Sequence, residues 1–99
     1  MLEVKKKTEN DAVVISLIGR LETTTVSNCE QEIKSSLEGT KDLTIDLSEL
    51  EYISSAGLRV LLSVQKIMNK QGKMRIRNVK DYVMEVFEIT GFSDIMDIE

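Results

Sequence analysis

Two adjacent hydroxyls, Ser54 and Ser55, carry the chemistry with the best local setting in the chain, in the run Asp46-Leu47-Ser48-Glu49-Leu50-Glu51-Tyr52-Ile53-Ser54-Ser55-Ala56-Gly57-Leu58-Arg59-Val60-Leu61-Leu62. An alternating strand passes there through a polar turn into a long amphipathic helix. A serine at a helix start stands beside unpaired backbone N–H groups and the positive end of the macrodipole, a setting that accommodates an added anion. Ser55 is on this ground a candidate phosphate acceptor. The competing role is capping, in which a hydroxyl accepts a hydrogen bond from an N–H two or three residues on and contributes about 1 kcal/mol. Three details favour more than a cap. Residues 54–58 contain no Asp or Glu, so the dipole is left free. Ala56 and Gly57 are small enough to let another backbone or a nucleotide approach, although glycine costs helix stability. Leu58 and Arg59 follow as contact side chains at an exposed edge.

Other chemistries are missing their parts. Without histidine no Ser-His-Asp or Cys-His arrangement can be built. Cys29 is the single cysteine, which excludes an internal disulfide and suits a buried structural thiol. Asp94, Asp97 and Glu99 lack the spacing of a calcium loop. Ser63-Val64-Gln65-Lys66 matches an S-x-x-K string, yet both functional positions fall on the solvent stripe of a helix and no companion motif is present. No P-loop or G-x-G-x-x-G occurs. The expectation is a protein that is not an enzyme and holds no cofactor and no metal.

Composition narrows the setting. A chain of 99 residues with 41% hydrophobic and 30% charged residues, and no proline or tryptophan, reads as one globular domain over residues 1–99. The net charge of −4 opposes nucleic-acid or anionic-membrane binding, which needs a basic excess. The N-terminus lacks the apolar run of a signal peptide, and no apolar segment approaches the roughly 20 residues of a membrane span. The cytoplasm is the default expectation.

The elements that must position the serines follow from periodicity. Leu2, Val4 and Lys6 alternate with Glu3, Lys5 and Lys7 as an edge strand, and residues 8–11 turn into a strand over residues 12–21, with Val13, Ile15 and Leu17 on one side. Val26, Cys29, Ile33 and Leu37 then recur at helical spacing, with Thr23 or Thr24 as N-cap and Gly39 as stop. Leu43, Ile45 and Leu47, and later Met74 and Ile76, alternate with polar residues as half-buried strands. A sheet covered on both faces would show continuous apolar runs instead. Between them Leu58, Leu61, Leu62, Val64, Ile67 and Met68 line one side of a helix whose other side carries Arg59, Ser63, Lys66 and Lys70. Strand, helix and strand in that order favour a right-handed parallel crossover. A last helix over residues 79–90 stops at Gly91, with Phe92 packing back, and residues 95–98 form a short strand or fray. The result is a small α/β fold in the order ββαβαβα, a mixed sheet of four to five strands with helices packed mainly on one face.

Asp46-Leu47-Ser48 followed by Tyr52 to Leu62 resembles the signature of STAS domains of the bacterial anti-sigma-factor antagonist type. Leu17-Ile18-Gly19-Arg20-Leu21-Glu22 resembles that family's second strand and the loop after it, and the likeness extends over essentially the whole chain. The resemblance implies a protein that binds an anti-sigma factor, itself a serine kinase, and so frees a sigma factor for transcription. By position in the motif Ser55 is then the serine phosphorylated, with Ser54 as the alternative acceptor, and a PP2C-type phosphatase reverses the modification. The chain departs from many members in carrying Ser54 and Glu22 where they carry Asp. The expected docking surface is Glu22, Thr23 and Thr24 from one loop with Ser54, Gly57, Leu58 and Arg59 from the other, both at the same end of the sheet. The oligomeric state stays open, with a monomer expected. Two rivals remain: a constitutive STAS interaction module of a transporter or larger signalling assembly, in which Ser55 only caps, and a small hydrolase or nucleotide-binding enzyme.

Overall fold

The organising strand is β2 (Ala12–Leu21), whose inward residues Val13, Ile15 and Leu17 are all buried and whose two edges are both taken. The structure is a computed structural model and describes residues 1–99. Around β2 lie β1 (Leu2–Glu9), β3 (Asp42–Asp46), β4 (Leu50–Ile53) and β5 (Lys73–Arg77), with helices α1 (Val26–Lys34), α2 (Ser55–Asn69) and α3 (Asp81–Thr90) and a 3-10 turn over Phe92–Asp94. β1 runs antiparallel to β2, from Leu2 opposite Gly19 to Glu9 opposite Ala12. β3 and β5 are parallel to it in the order β1-β2-β3-β5, with Ile15, Ile45 and Ile76 in register. These inward rows merge with the apolar faces of the helices into one buried cluster. On the opposite face Lys5, Ser16, Asp46 and Arg77 form a polar row across four strands. Alternation of the side chains about the pleat is the reason that one set of strands yields a dry face and a wet one.

The expected order ββαβαβα holds with one strand added. Residues 50–53, read from the sequence as a polar turn, form β4, which pairs parallel to β2 beyond the point where β3 ends, Arg20 opposite Tyr52 and Leu21 opposite Ile53. The pairing shifts register between Gly19 and Arg20. Gly19 (φ 107) is required there: a Cβ would run into the carbonyl oxygen of Met1, which accepts the Arg20 N–H at 3.0 Å.

The other differences are local. The first turn closes later than expected, at Asn10 (φ 56) and Asp11, because β1 pairs as far as Glu9. Thr25 is the N-cap of α1 in place of Thr23 or Thr24, and the helix ends at Lys34, before Gly39. Thr44, on the polar side of β3, is buried between its flanking strands. α3 starts at Asp81, two residues later than expected, and stops at Gly91 (φ 81) as expected, while Phe92 packs against the core. The tail forms an isolated parallel bridge between Ile98 and Ile76.

Candidate functional site

β2 and β4 end side by side, and their pairing brings two loops together. After Leu21 opposite Ile53, the next backbone N–H, that of Ser54, donates to the Leu21 carbonyl at 2.9 Å. The chain then leaves the sheet in both strands at once, into residues 22–25 on one side and the start of α2 on the other. The loop with Glu22, Thr23 and Thr24 and the helix start with Ser54 and Ser55 therefore leave from adjacent strand ends.

At the start of α2 the two serines divide the work. Ser54 has extended backbone (φ −93, ψ 172) and its hydroxyl accepts from the Gly57 N–H at 3.2 Å, so it is the N-cap. Ser55 is the first helical residue, exposed, with a hydroxyl that makes no hydrogen bond within the chain. The first turn holds no acidic side chain, and the positive end of the dipole faces solvent uncompensated. Arg59, one turn on, is exposed.

Gly57 and Leu58 sit differently from the sequence-based expectation. Leu58 is only 4% exposed and belongs to the core, and Gly57 is buried. The cause is the seating of α2 on the sheet: a Cβ on Gly57 would lie 2.8 Å from Leu21 Cγ and 2.9 Å from Ile53 Cγ1. The small residue admits the sheet's own side chains, and Leu58 then turns inward with Leu61 and Val64 on the same face.

The loop opposite is held in one shape by side chains that the sequence did not single out. Thr25 Oγ1 accepts from the Glu22 N–H at 3.0 Å and donates to the Arg20 carbonyl at 2.9 Å. The Thr25 and Val26 N–H groups both donate to the Glu22 carbonyl at 2.9 Å. Arg20 Nε donates to Glu22 Oε2 at 2.8 Å, and the guanidinium carbon lies 4.5 Å from the centroid of the Tyr52 ring. The hydrogen bond to Glu22 raises the pKa of Arg20 above its ordinary value. Glu22 is therefore presented in a fixed place at the rim of the surface. Arg20 two residues before Glu22 was a readable signal; Tyr52 was not, because its nearness to Arg20 depends on the unforeseen strand β4.

The rest of the molecule offers other polar groups but no second constellation. Burial pushes the Cys29 thiol up to about 12, with Glu30 and Glu32 adding to the shift, which makes it a poor nucleophile. Partial burial opposes ionisation of Asp46, but the Ser48 N–H at 2.9 Å, the Ser48 hydroxyl, Asn78 and Arg77 outweigh it and hold the carboxyl below its ordinary value. A groove of about 600 Å³ opens between β1 and α1, spanned by the Lys6–Glu32 ion pair at 3.1 Å. No group of three His, Cys, Asp or Glu residues is placed to hold a metal ion, and no helix is long and apolar enough to cross a membrane.

The fold recurs in known proteins. A family model described as the STAS domain matches residues 3–99. BtrV of Bordetella bronchiseptica, named as a candidate anti-sigma factor antagonist, is 36% identical over 88 residues, which are 87% of this chain and 76% of that protein. The anti-sigma-B factor antagonist of Bacillus subtilis is 30% identical over 94 residues, 94% of this chain and 85% of that one. A crystal structure of an anti-sigma factor antagonist from Mycobacterium paratuberculosis has the same fold, with a TM-score of 0.91 at 20% identity over 99% of this chain and 85% of that chain.

Proposed function

The chain belongs to the STAS-domain family, in the branch whose named members are anti-sigma-factor antagonists, and we propose that it is itself such an antagonist, switched off by phosphorylation of Ser55. The observation that carries the reading is the division between the serines: Ser54 makes the capping hydrogen bond, and Ser55 is left exposed and unbonded at a helix start with no acid in its first turn. A Ser55 that only capped the helix would need the bond that Ser54 makes. The partner is an anti-sigma factor that is also a serine kinase, and its release of a sigma factor follows from its capture by this domain. Glu22, Thr23 and Thr24, with Ser54, Ser55 and Arg59, form the contacting rim, while Gly57 and Leu58 support it from behind. The domain works in the cytoplasm, spans residues 1–99 and catalyses nothing.

In the forward step Ser55 Oγ attacks the γ-phosphorus of ATP, the bond to the leaving ADP breaks, and the hydroxyl proton passes to a base on the kinase. A PP2C-type phosphatase reverses this with water, returning a proton to Ser55 Oγ and releasing phosphate. The modification adds about −1.5 to −2 charges and three acceptor oxygens. At the N-terminus of α2 that charge is compatible with the fold, because the dipole and free N–H groups favour it. What it disturbs is docking, by placing bulk and charge in the middle of the contact rim.

The test is mass spectrometry of the chain after incubation with ATP and its cognate serine-kinase anti-sigma factor. One phosphate on Ser55 is expected, lost in Ser55→Ala and retained in Ser54→Ala. A phosphate on Ser54, or none with a kinase shown to be competent, overturns the proposal. Ser55→Glu is expected to abolish capture of that anti-sigma factor while leaving the fold intact.

A further inference from the structure

Helix α2 has an unbalanced outward face. Its sequence Ser55–Asn69 contains no Asp or Glu, while Ser55, Arg59 and Lys66 are exposed along it and Lys70 follows at its C-terminal end. None of these three cations takes part in any of the chain's ion pairs, which join Lys6 to Glu32, Arg20 to Glu22, Lys34 to Glu30, and Arg75 to Asp42 and Glu99. In a chain of net charge −4 this leaves a cationic stripe with no anion in the helix to answer it. Ser55 is the exposed serine at the N-terminal end of that stripe, where a covalent modification would introduce an anion, and Arg59 follows it by four residues. Residues so spaced are neighbours on a helix surface, and an anion N-terminal to a cation is the favourable order.

We infer that Arg59 receives the phosphate of Ser55 in cis, forming an ion pair across one turn of α2. The inference rests on the phosphorylation of Ser55 proposed above and adds to it a second effect of the switch. Phosphorylation places an anion on the rim and at the same moment occupies the guanidinium that the unmodified surface offers to a partner. A guanidinium suits the role because its fork matches phosphate oxygens with two parallel hydrogen bonds, a geometry that lysine does not reproduce.

The experiment installs phosphoserine at position 55 by expanded-code translation, so that no kinase is involved, and compares thermal unfolding of phosphorylated and unmodified chains in wild type, Arg59→Gln and Arg59→Lys at low salt. The expected result is a phosphate-dependent rise in Tm whose Arg59-dependent part is about 2 °C. That part should vanish in Arg59→Gln, shrink in Arg59→Lys and fade in 1 M salt, as the screening of an exposed pair requires. The Arg59 Nε–H resonance should move and exchange more slowly only in the phosphorylated wild type. An equal rise in Arg59→Gln, or an unmoved Arg59 resonance, overturns the inference and assigns the phosphate's effect to the helix dipole alone. A kinase that ignores Ser55 would count against the proposed function and leave this result standing.

Discussion

Ser54 and Ser55 differ by one position and by almost everything that matters to chemistry. Ser54 has extended backbone, and its hydroxyl is engaged by the Gly57 N–H; Ser55 has entered the helix and its hydroxyl points to solvent unbonded. Their substitution should separate the two roles in solution without any partner. Ser54→Ala removes the cap and should cost about 1 kcal/mol, a fall in Tm of roughly 5 °C for a domain of this size. Ser55→Ala should leave Tm within about 1 °C of wild type, since no hydrogen bond is lost. Thermal unfolding by circular dichroism checks both, and a larger loss at Ser55 than at Ser54 would reverse the assignment. The sequence offered the two hydroxyls and the acid-free turn but not their division, which depends on where β4 hands the chain to α2. The same holds for the Arg20–Tyr52 contact, which forms only because the two strands pair.

The helix and the strands it rests on carry the next lesson. Gly57 reads in the sequence as an opening for a partner, yet a Cβ there would meet Leu21 and Ile53, both buried and neither free to move away. Gly57→Ala gains helix propensity, up to roughly 1 kcal/mol, but overpacking of this kind costs about 1–3 kcal/mol. The balance is a net loss of about 1 kcal/mol, read as a lower denaturation midpoint in urea; a more stable variant would show that α2 can lift from the sheet at little cost. Strands β2 and β5 were legible, β2 from its β-branched run Val13-Val14-Ile15 and β5 from Met74 and Ile76 alternating with Lys73, Arg75 and Arg77. β4 was not, because Leu50 and Ile53 are buried at its ends while Glu51 and Tyr52 between them are exposed, a pattern that a turn shares. It is a strand because β2 overruns β3 and leaves an edge from Gly19 to Leu21 to be filled.

At the scale of the whole molecule, charge couples to stability through few groups. Asp46 at the end of β3 is tied to Asn78 beyond β5 at 3.2 Å and to the Ser48 N–H, and it stays ionised to lower pH in the folded chain than in the unfolded one. A carboxyl of this kind stabilises the fold above its unfolded pKa of about 3.9, and that contribution is lost as pH falls through the lower folded value. Asp46→Asn should therefore be less stable than wild type at pH 7, with the gap closing below about pH 4; chemical denaturation across that range is the measurement, and a gap that widens in acid would refute the sign. The remaining exposed charges are spread over the polar sheet face and helix surfaces, where screening keeps single pairs weak.

The hydrogen bond from the Ser54 backbone to Leu21 has a consequence for how such a device keeps information. It fastens the start of α2 to the sheet, so the phosphate arrives on a rim whose backbone is anchored at 2.9 Å to the strand behind it. On the proposed function, a cell reading this domain reads a tally of modified molecules, each either marked or blank. Such a record has no hysteresis of its own: it rises and falls as fast as the writing and erasing enzymes act, and all delay, threshold and memory belong to them.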